Sequence, residues 1–314
     1  MSNQTLTAIP GLLAGHAADA DQSTGCTAIL CPAGFTPGLA VPGFAPGCRE
    51  TELMRPESLV EVVHGLLLSG GSAFGLSAAD GLVRFLREQG HGLVMPHGTI
   101  PIVPGAVIYD LDGNRKPGLL PDAAMGYAAA RDASAAPLPR GRVGAGTGAR
   151  CGRLYSLEGP DRTSPGGLGS SLVEYRGVLV GAVVVVNALG NVHDPGTGIC
   201  VAGGRDESGR FFDRETSYAV LAGDAVPRSN TVLTVVASNI PLDKTATSRL
   251  ARMAATGLAR TIRPAHLTYD GDIVFALSPK EAPKGFTGSW SENLLGAMGG
   301  EAVALAVLDA VRRP

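Results

Sequence analysis

Charge is scarce in this chain. Only 17% of its 314 residues are Asp, Glu, Lys or Arg, with 26 basic against 28 acidic and a formal net charge of −2. No run of lysine or arginine stands out, which removes the clustered positive charge that a nucleic-acid or anionic-membrane surface needs. Long apolar runs are missing as well: no segment approaches the roughly 18 uninterrupted apolar residues of a membrane span. The opening MSNQTLTAIPGLLAGHAADADQ has no basic stretch followed by a sustained apolar one, so the expected compartment is the cytoplasm. The five cysteines, Cys26, Cys31, Cys48, Cys151 and Cys200, form an odd, scattered set without a CxxC pair. That excludes a disulfide framework and a zinc site, and the thiols are expected to be reduced and mostly buried. The six histidines, His16, His64, His91, His97, His193 and His266, include no HxxxH pair and none at ligand spacing from a cysteine. Neither a metal nor an organic cofactor is expected. No GxSxG elbow is present, so a Ser-His-Asp hydrolase has no support.

What the chain does hold is apolar side chains, at 45%, together with 44 glycines and 22 prolines spread along its length. This composition can bury a large core, and the scattered glycine and proline predict many tight turns between short strands. Helices are expected near 56–68, near 73–89 with a stop at Gly90, within PLDKTATSRLARMAATGLARTI, and in the last segment, which Ser291 can cap. Strands are expected at CTAILCP, GVLVGAVVVVNALG, NTVLTVVASN and GDIVFAL. VLVGAVVVV is too apolar for a strand wet on one face and belongs in a central, covered position. Strands and helices do not alternate regularly, so the order predicts α+β layering of sheets covered by helices over a doubly wound sheet. No internal repeat or domain boundary is visible, and residues 1–314 read as a single domain.

Two glycine-rich stretches invite a nucleotide reading. GRVGAGTGAR matches GxGxxA through Gly144, Gly146 and Ala149, but no strand precedes it and no helix follows, so it reads as a turn near a substrate site. LSGGSAFGLSAADG lacks the GK[ST] ending of a phosphate loop and reads as close backbone packing. Two further features carry chemistry. Asn230-Thr231 stands directly before an apolar, β-branched run, and Asp270 and Asp272 sit two apart before another. Both features are open to a plain reading as turns and surface carboxylates at strand entries. In a strand, residues two apart share a face, which would point both carboxylates to one side. A threonine hydroxyl becomes a competent nucleophile when it opens a chain, because its own α-amino group, of unperturbed pKa near 8, serves as base. An internal threonine gains that amine only if the bond before it is broken.

The ordered stretches GHAADADQSTGCTAILCP, APGCRETEL, LLLSGGSAFGLSAADG, PIVPGAVIYDL, GAGTGA, GGLGSS and NTVLTVVASN resemble successive motifs of the DmpA-type aminopeptidases and nylon-oligomer hydrolases, which are N-terminal nucleophile enzymes. The resemblance spans nearly the whole chain. It implies a four-layer αββα sandwich, self-processed between Asn230 and Thr231 into chains 1–230 and 231–314 that stay associated, and a homo-oligomer, commonly a tetramer of processed units. It further implies that Thr231 is nucleophile and base, that Asp270 and Asp272 orient its hydroxyl and ammonium, and that Asn187 donates to the oxyanion. A core asparagine satisfied by backbone is the alternative for Asn187. Tyr127 matches a family tyrosine lining the site, and helix packing accounts for it nearly as well. Threonine after asparagine, with two aspartates downstream, is more similar to the nylon-oligomer branch than to the serine-dependent aminopeptidases. One departure is Pro165, where relatives often have lysine before the GG of GGLGSS; Arg162 is nearby in sequence. The expected activity is hydrolysis of small peptides or linear amide oligomers. The competing reading, prompted by Pro165, is an inactive relative acting as a binding or structural module.

Overall fold

The computed structural model describes residues 3–111, 118–155, 162–223 and 230–313. Nine strands make the main hydrogen-bonded array: β1 (Leu13–Ala18), β2 (Gly25–Ala40), β3 (Gly47–Arg49), β4 (Val63–Ser69), β5 (Gly105–Val107), β6 (Gly167–Tyr175), β7 (Val178–Asn187), β8 (Thr231–Ser238) and β9 (Ile273–Ser278). Among the described residues six α-helices accompany them: α1 (Ala78–Glu88), α2 (Ala123–Asp132), α3 (Arg214–Ala222), α4 (Lys244–Ala254), α5 (Thr256–Thr261) and α6 (Glu292–Val311).

The long strand β2 explains how one array becomes two layers. Its first half, Cys26 to Leu30, pairs with β1 on one edge and β4 on the other, while Thr36 to Ala40 pairs with β9. Between these halves the register against β4 shifts, at Leu30 to Phe35, and Gly34 takes φ +83°. A bulge with glycine in the left-handed region bends a strand and re-aims it. One sheet therefore runs β1, β2, β4, β5, β3, and the other runs β6, β7, β8, β9, β2. Pairing is mostly antiparallel, with parallel contacts at β8/β9 and β4/β5.

Alternation along the strands divides the core. Val183 and Val185 of β7, Leu233 and Val235 of β8, and Ile273 and Phe275 of β9 face inward onto Ile29, Leu66 and Leu68 of the other sheet. Val180, Val184, Val186, Val232 and Val236 face outward onto Leu250, Leu258, Met298 and Val303 of α4, α5 and α6. Ala28, Leu30 and Leu67 meet Ala78, Leu82 and Ala129 of α1 and α2 on the opposite outer face. The result is the expected four-layer αββα sandwich. The apolar run of β7 is covered on both faces, as its composition requires.

The expected helix at 56–68 does not form. Residues 63–69 are β4, buried throughout between β2 and β5. An unbroken apolar run suits a doubly covered strand as well as a buried helix, and periodicity alone does not separate them. The other expected strands are present. The helix near 73–89 opens as a 3₁₀ turn over Ser72–Ser77 and becomes α1. The helical stretch after Pro241 breaks at Ala255 into α4 and α5. Ser291 caps α6, its hydroxyl accepting from the Leu294 N–H at 3.2 Å. By length and composition α6 could cross a membrane, but most of it is buried against the second sheet, the place of a core helix.

Candidate active site

Strand β8 begins at Thr231, and the residue before it is already tied to the chain beyond. The Asn230 N–H donates to the Tyr269 carbonyl at 3.4 Å, and the Asn230 carbonyl accepts from the Gly271 N–H at 2.7 Å. Asn230 and Thr231 are 0% and 3% exposed. The Asn230-Thr231 peptide is thus buried, with a backbone donor on its carbonyl oxygen.

In β8 the odd-numbered residues face the space between the sheets, and Thr231 shares that side with its register partner Asn187 at the end of β7. Gly271 packs directly on the threonine. A Cβ added there would lie 2.5 Å from Thr231 Oγ1 and 2.6 Å from the Ala45 carbonyl oxygen. Only glycine fits between the two aspartates. The turn over 42–47 wraps the same segment: Gly43 N donates to Asp272 O, and Phe44 N and Ala45 N donate to Asp270 O at 2.8 and 2.9 Å.

The two aspartates meet, but not by strand alternation, since both precede β9 and belong to this wrapped turn. Each is 3% exposed. Asp270 accepts from the Leu267 N–H at 2.7 Å. Burial, and next the negative charge of Asp272, raise its carboxyl to about 7. Asp272 is better provided with donors. Its Oδ1 accepts from the Val232 N–H at 2.8 Å, and its Oδ2 faces His266 Nδ1 at 2.8 Å and the His266 N–H at 3.3 Å. The carboxylate therefore holds the peptide nitrogen that follows Thr231.

Asn187 is fully buried and held at both ends of its amide: Nδ2 donates to the Tyr109 carbonyl at 3.0 Å and Oδ1 accepts from the Arg150 N–H at 3.1 Å. These are the backbone bonds of a core asparagine. The second Nδ2 hydrogen is not spent on any described residue. The glycine-rich turn of GRVGAGTGAR ends at Arg150 and so sits against this amide.

Tyr127 is not brought here. It lies on α2 in the outer helical layer, where its hydroxyl donates to Glu88 at 2.6 Å, its ring meets Phe85 edge-on and Arg84 stacks over it. Helix packing accounts for it. Pro165 is exposed and pairs across a two-residue ladder with Arg150, whose Nε donates to Thr163 Oγ1 at 2.5 Å. Arg150 therefore stands opposite Pro165 in the register, whereas Arg162 pairs with Glu207 at 2.8 Å. Sequence reasoning missed three participants. Gly271 was visible only as the middle of DGD, Tyr109 lay inside the quoted PIVPGAVIYDL, and His266 was weighed only as a metal ligand.

Two helical layers enclosing two sheets, with a buried threonine at the head of a central strand, define the class of N-terminal nucleophile folds. The L-aminopeptidase D-Ala-esterase/amidase of Ochrobactrum anthropi, described as a variant of that fold, superposes with a TM-score of 0.70 over 98% of this chain and 85% of its own, at 19% identity. A Burkholderia β-aminopeptidase superposes with a TM-score of 0.68 over 98% of this chain and 86% of its own, at 21% identity. The model of peptidase family S58 matches residues 4–313, and the chain belongs to that family. An uncharacterised aminopeptidase of Mycobacterium leprae is 42% identical over 87% of this chain and 78% of its own. The 6-aminohexanoate-oligomer endohydrolase of Paenarthrobacter ureafaciens is 30% identical over 96% of this chain and 84% of its own.

Proposed function

We propose that this protein is a self-processing amide hydrolase whose nucleophile is Thr231, acting on small peptides or linear amide oligomers. The observation that carries the reading is the Asn230 carbonyl, held at 2.7 Å by the N–H of Gly271, which stands between two buried aspartates and packs on Thr231. Attack of the Thr231 hydroxyl on the Asn230 carbonyl carbon would place negative charge on the oxygen that Gly271 already contacts. A donor aimed where charge develops is worth more in such a dry site than in water. Collapse of that intermediate breaks the C–N bond, moves the acyl group to the threonine oxygen and leaves the α-amine free. Water then hydrolyses the ester, releasing Asn230 as a carboxylate.

The same nucleophile, now at a chain start, attacks a substrate amide whose carbonyl occupies the place Asn230 has left. Gly271 N–H and the unspent hydrogen of Asn187 Nδ2 supply the oxyanion donors, and the α-amine takes and returns the proton. Asp270, raised to about 7, is suited to exchanging a proton near neutrality, while Asp272 supplies negative charge for the ammonium form. In the uncut chain Thr231 is 3% exposed, so substrate reaches it only once the chain before it is displaced.

The substrate class is supported by the relatives, among them the enzyme named for 6-aminohexanoate oligomers. Assembly as a tetramer of processed units of a single domain, and a cytoplasmic location, accompany the proposal and rest on the resemblance and the sequence. On a denaturing gel the purified protein is expected to give two bands whose masses sum to 31.9 kDa, and Thr231→Ala one band without amidase activity. Wild-type-like processing in Thr231→Ala overturns the nucleophile. An intact wild-type chain after long incubation favours the inactive binding module instead.

A further inference from the structure

His266 stands outside every role assigned so far, yet it is bound more tightly to the site than its sequence position suggests. It precedes Asp270 by four residues, and its side chain is 22% exposed. It takes φ +59°, a left-handed conformation that non-glycine residues seldom adopt and that persists where surrounding contacts over-determine it. Those contacts come from one group. Asp272 Oδ2 receives both the His266 N–H and its ring Nδ1, at 3.3 and 2.8 Å.

The other oxygen of Asp272 holds the Val232 N–H at 2.8 Å. The chain of contacts therefore runs from the imidazole, through one carboxylate, to the peptide that begins β8 and carries Thr231. Donor numbers also differ across the aspartate pair. Asp272 has three, counting Val232 N, His266 N and His266 Nδ1, whereas Asp270 has the Leu267 N–H. Donors stabilise the ionised form of a carboxylate, and Asp270, with the fewer of them, is the one whose carboxyl is raised, chiefly by burial and next by the charge of Asp272.

We infer that His266 is a positioning residue of the reaction, acting through Asp272 to fix the start of β8. The inference rests on the proposed role of Thr231. Among the described residues, Asp272 bonds the imidazole and Asp270 interacts with it electrostatically. The wrapping turn 42–47 and the first residues of β8, 231–233, carry no charged side chain.

The test is a pair of variants, His266→Ala and His266→Asn, each followed for processing, turnover and pH profile. Asparagine tolerates the left-handed backbone and places an amide donor near the position of Nδ1. Loss of a charge-assisted hydrogen bond predicts for His266→Ala a fall in kcat of roughly 10- to 100-fold. It also predicts a shift of the acid limb of the profile to higher pH, because Asp270, raised chiefly by burial, then loses the His266 interaction that lowers its carboxyl. KM should change little, and His266→Asn should recover most of both effects. If His266→Ala keeps wild-type kcat and an unmoved acid limb, or if both variants lose only thermal stability, the inference is overturned. Thr231→Ala serves as the separate control: residual activity there refutes the nucleophile, while its inactivity beside a normal His266→Ala refutes only the positioning role.

Discussion

Gly271→Ala puts the geometry of the site under the most specific strain. The new Cβ would stand 2.5 Å from Thr231 Oγ1 and 2.6 Å from the Ala45 carbonyl oxygen, where ordinary contact begins at 3.4 Å. Both contacts must open, by about 0.9 Å at the threonine and about 0.8 Å at the carbonyl, the differences between 3.4 Å and the 2.5 and 2.6 Å contacts. Ala45 is backbone, and its N–H is bonded to Asp270 O at 2.9 Å, so the threonine hydroxyl is the softer partner. Displacing a reacting atom by about 1 Å costs on the order of 100-fold in rate, while overpacking itself costs about 1–3 kcal/mol of stability. The expected outcome is a folded chain with a modestly lowered Tm that processes itself about two orders of magnitude more slowly. A denaturing-gel time course after rapid purification reads this directly, with Gly196→Ala as control, an exposed position in a surface turn where the new Cβ would meet the Asp194 carboxylate, a flexible side-chain end, at 3.3 Å. Processing of Gly271→Ala at the wild-type rate, with an unchanged Tm, would refute the placement of Thr231 against Gly271.

Other outcomes follow from the same contacts. Asp270 titrates near 7 when folded against about 3.9 unfolded, so the folded state binds the extra proton. Its contribution to stability is present at low pH and is lost as pH rises toward 7, by the order of a few kcal/mol. Asp270→Asn should therefore be more stable than wild type at pH 8, show a smaller difference at pH 4, and lose activity; thermal melts at the two pH values check this. Asn187→Ala removes partners from Tyr109 O and Arg150 N as well as an oxyanion donor, so it should lose about 10²–10³ in kcat together with about 1–3 kcal/mol of stability. A thermal defect with normal turnover would leave Asn187 as a core residue alone. Tyr127→Phe breaks only a bond to Glu88 on the outer helices and should leave kcat and KM unchanged, as steady-state assays will show.

Much of the architecture was readable before any coordinates. The β-branched runs from 178, 231 and 273 read as strands, the first as a central covered one, and Ser291 marked the start of α6; that the three lie side by side appears only in the pairing. The segment 63–69 was not readable, because Val63 and Leu66 to Leu68 carry the same apolar run whether strand or helix, and its strand character comes from β2 and β5 on its edges. At the site, Thr231 and Asn187 were singled out through motif order, and their direct pairing is a matter of register that sequence does not display. The proximity of Asp270 and Asp272 was anticipated for the wrong reason: the 42–47 turn folds them together, and strand alternation does not. Tyr127 fails because a tyrosine on an amphipathic helix leaves the same trace in sequence whether it lines a site or packs on a neighbouring helix. His266 escaped because its partner, six residues on, is a carboxylate, so a search for metal-ligand spacing passes over it.

The central claim is that the chain cuts itself between Asn230 and Thr231 and works from the threonine it frees. Intact mass and N-terminal sequencing of the purified protein address it most directly. The account predicts two species, one beginning Thr231-Val232-Leu233-Thr234 and one ending at Asn230, with amidase activity rising in step with their appearance. A single species of 31.9 kDa that hydrolyses amides, or two species joined at any other bond, would contradict it.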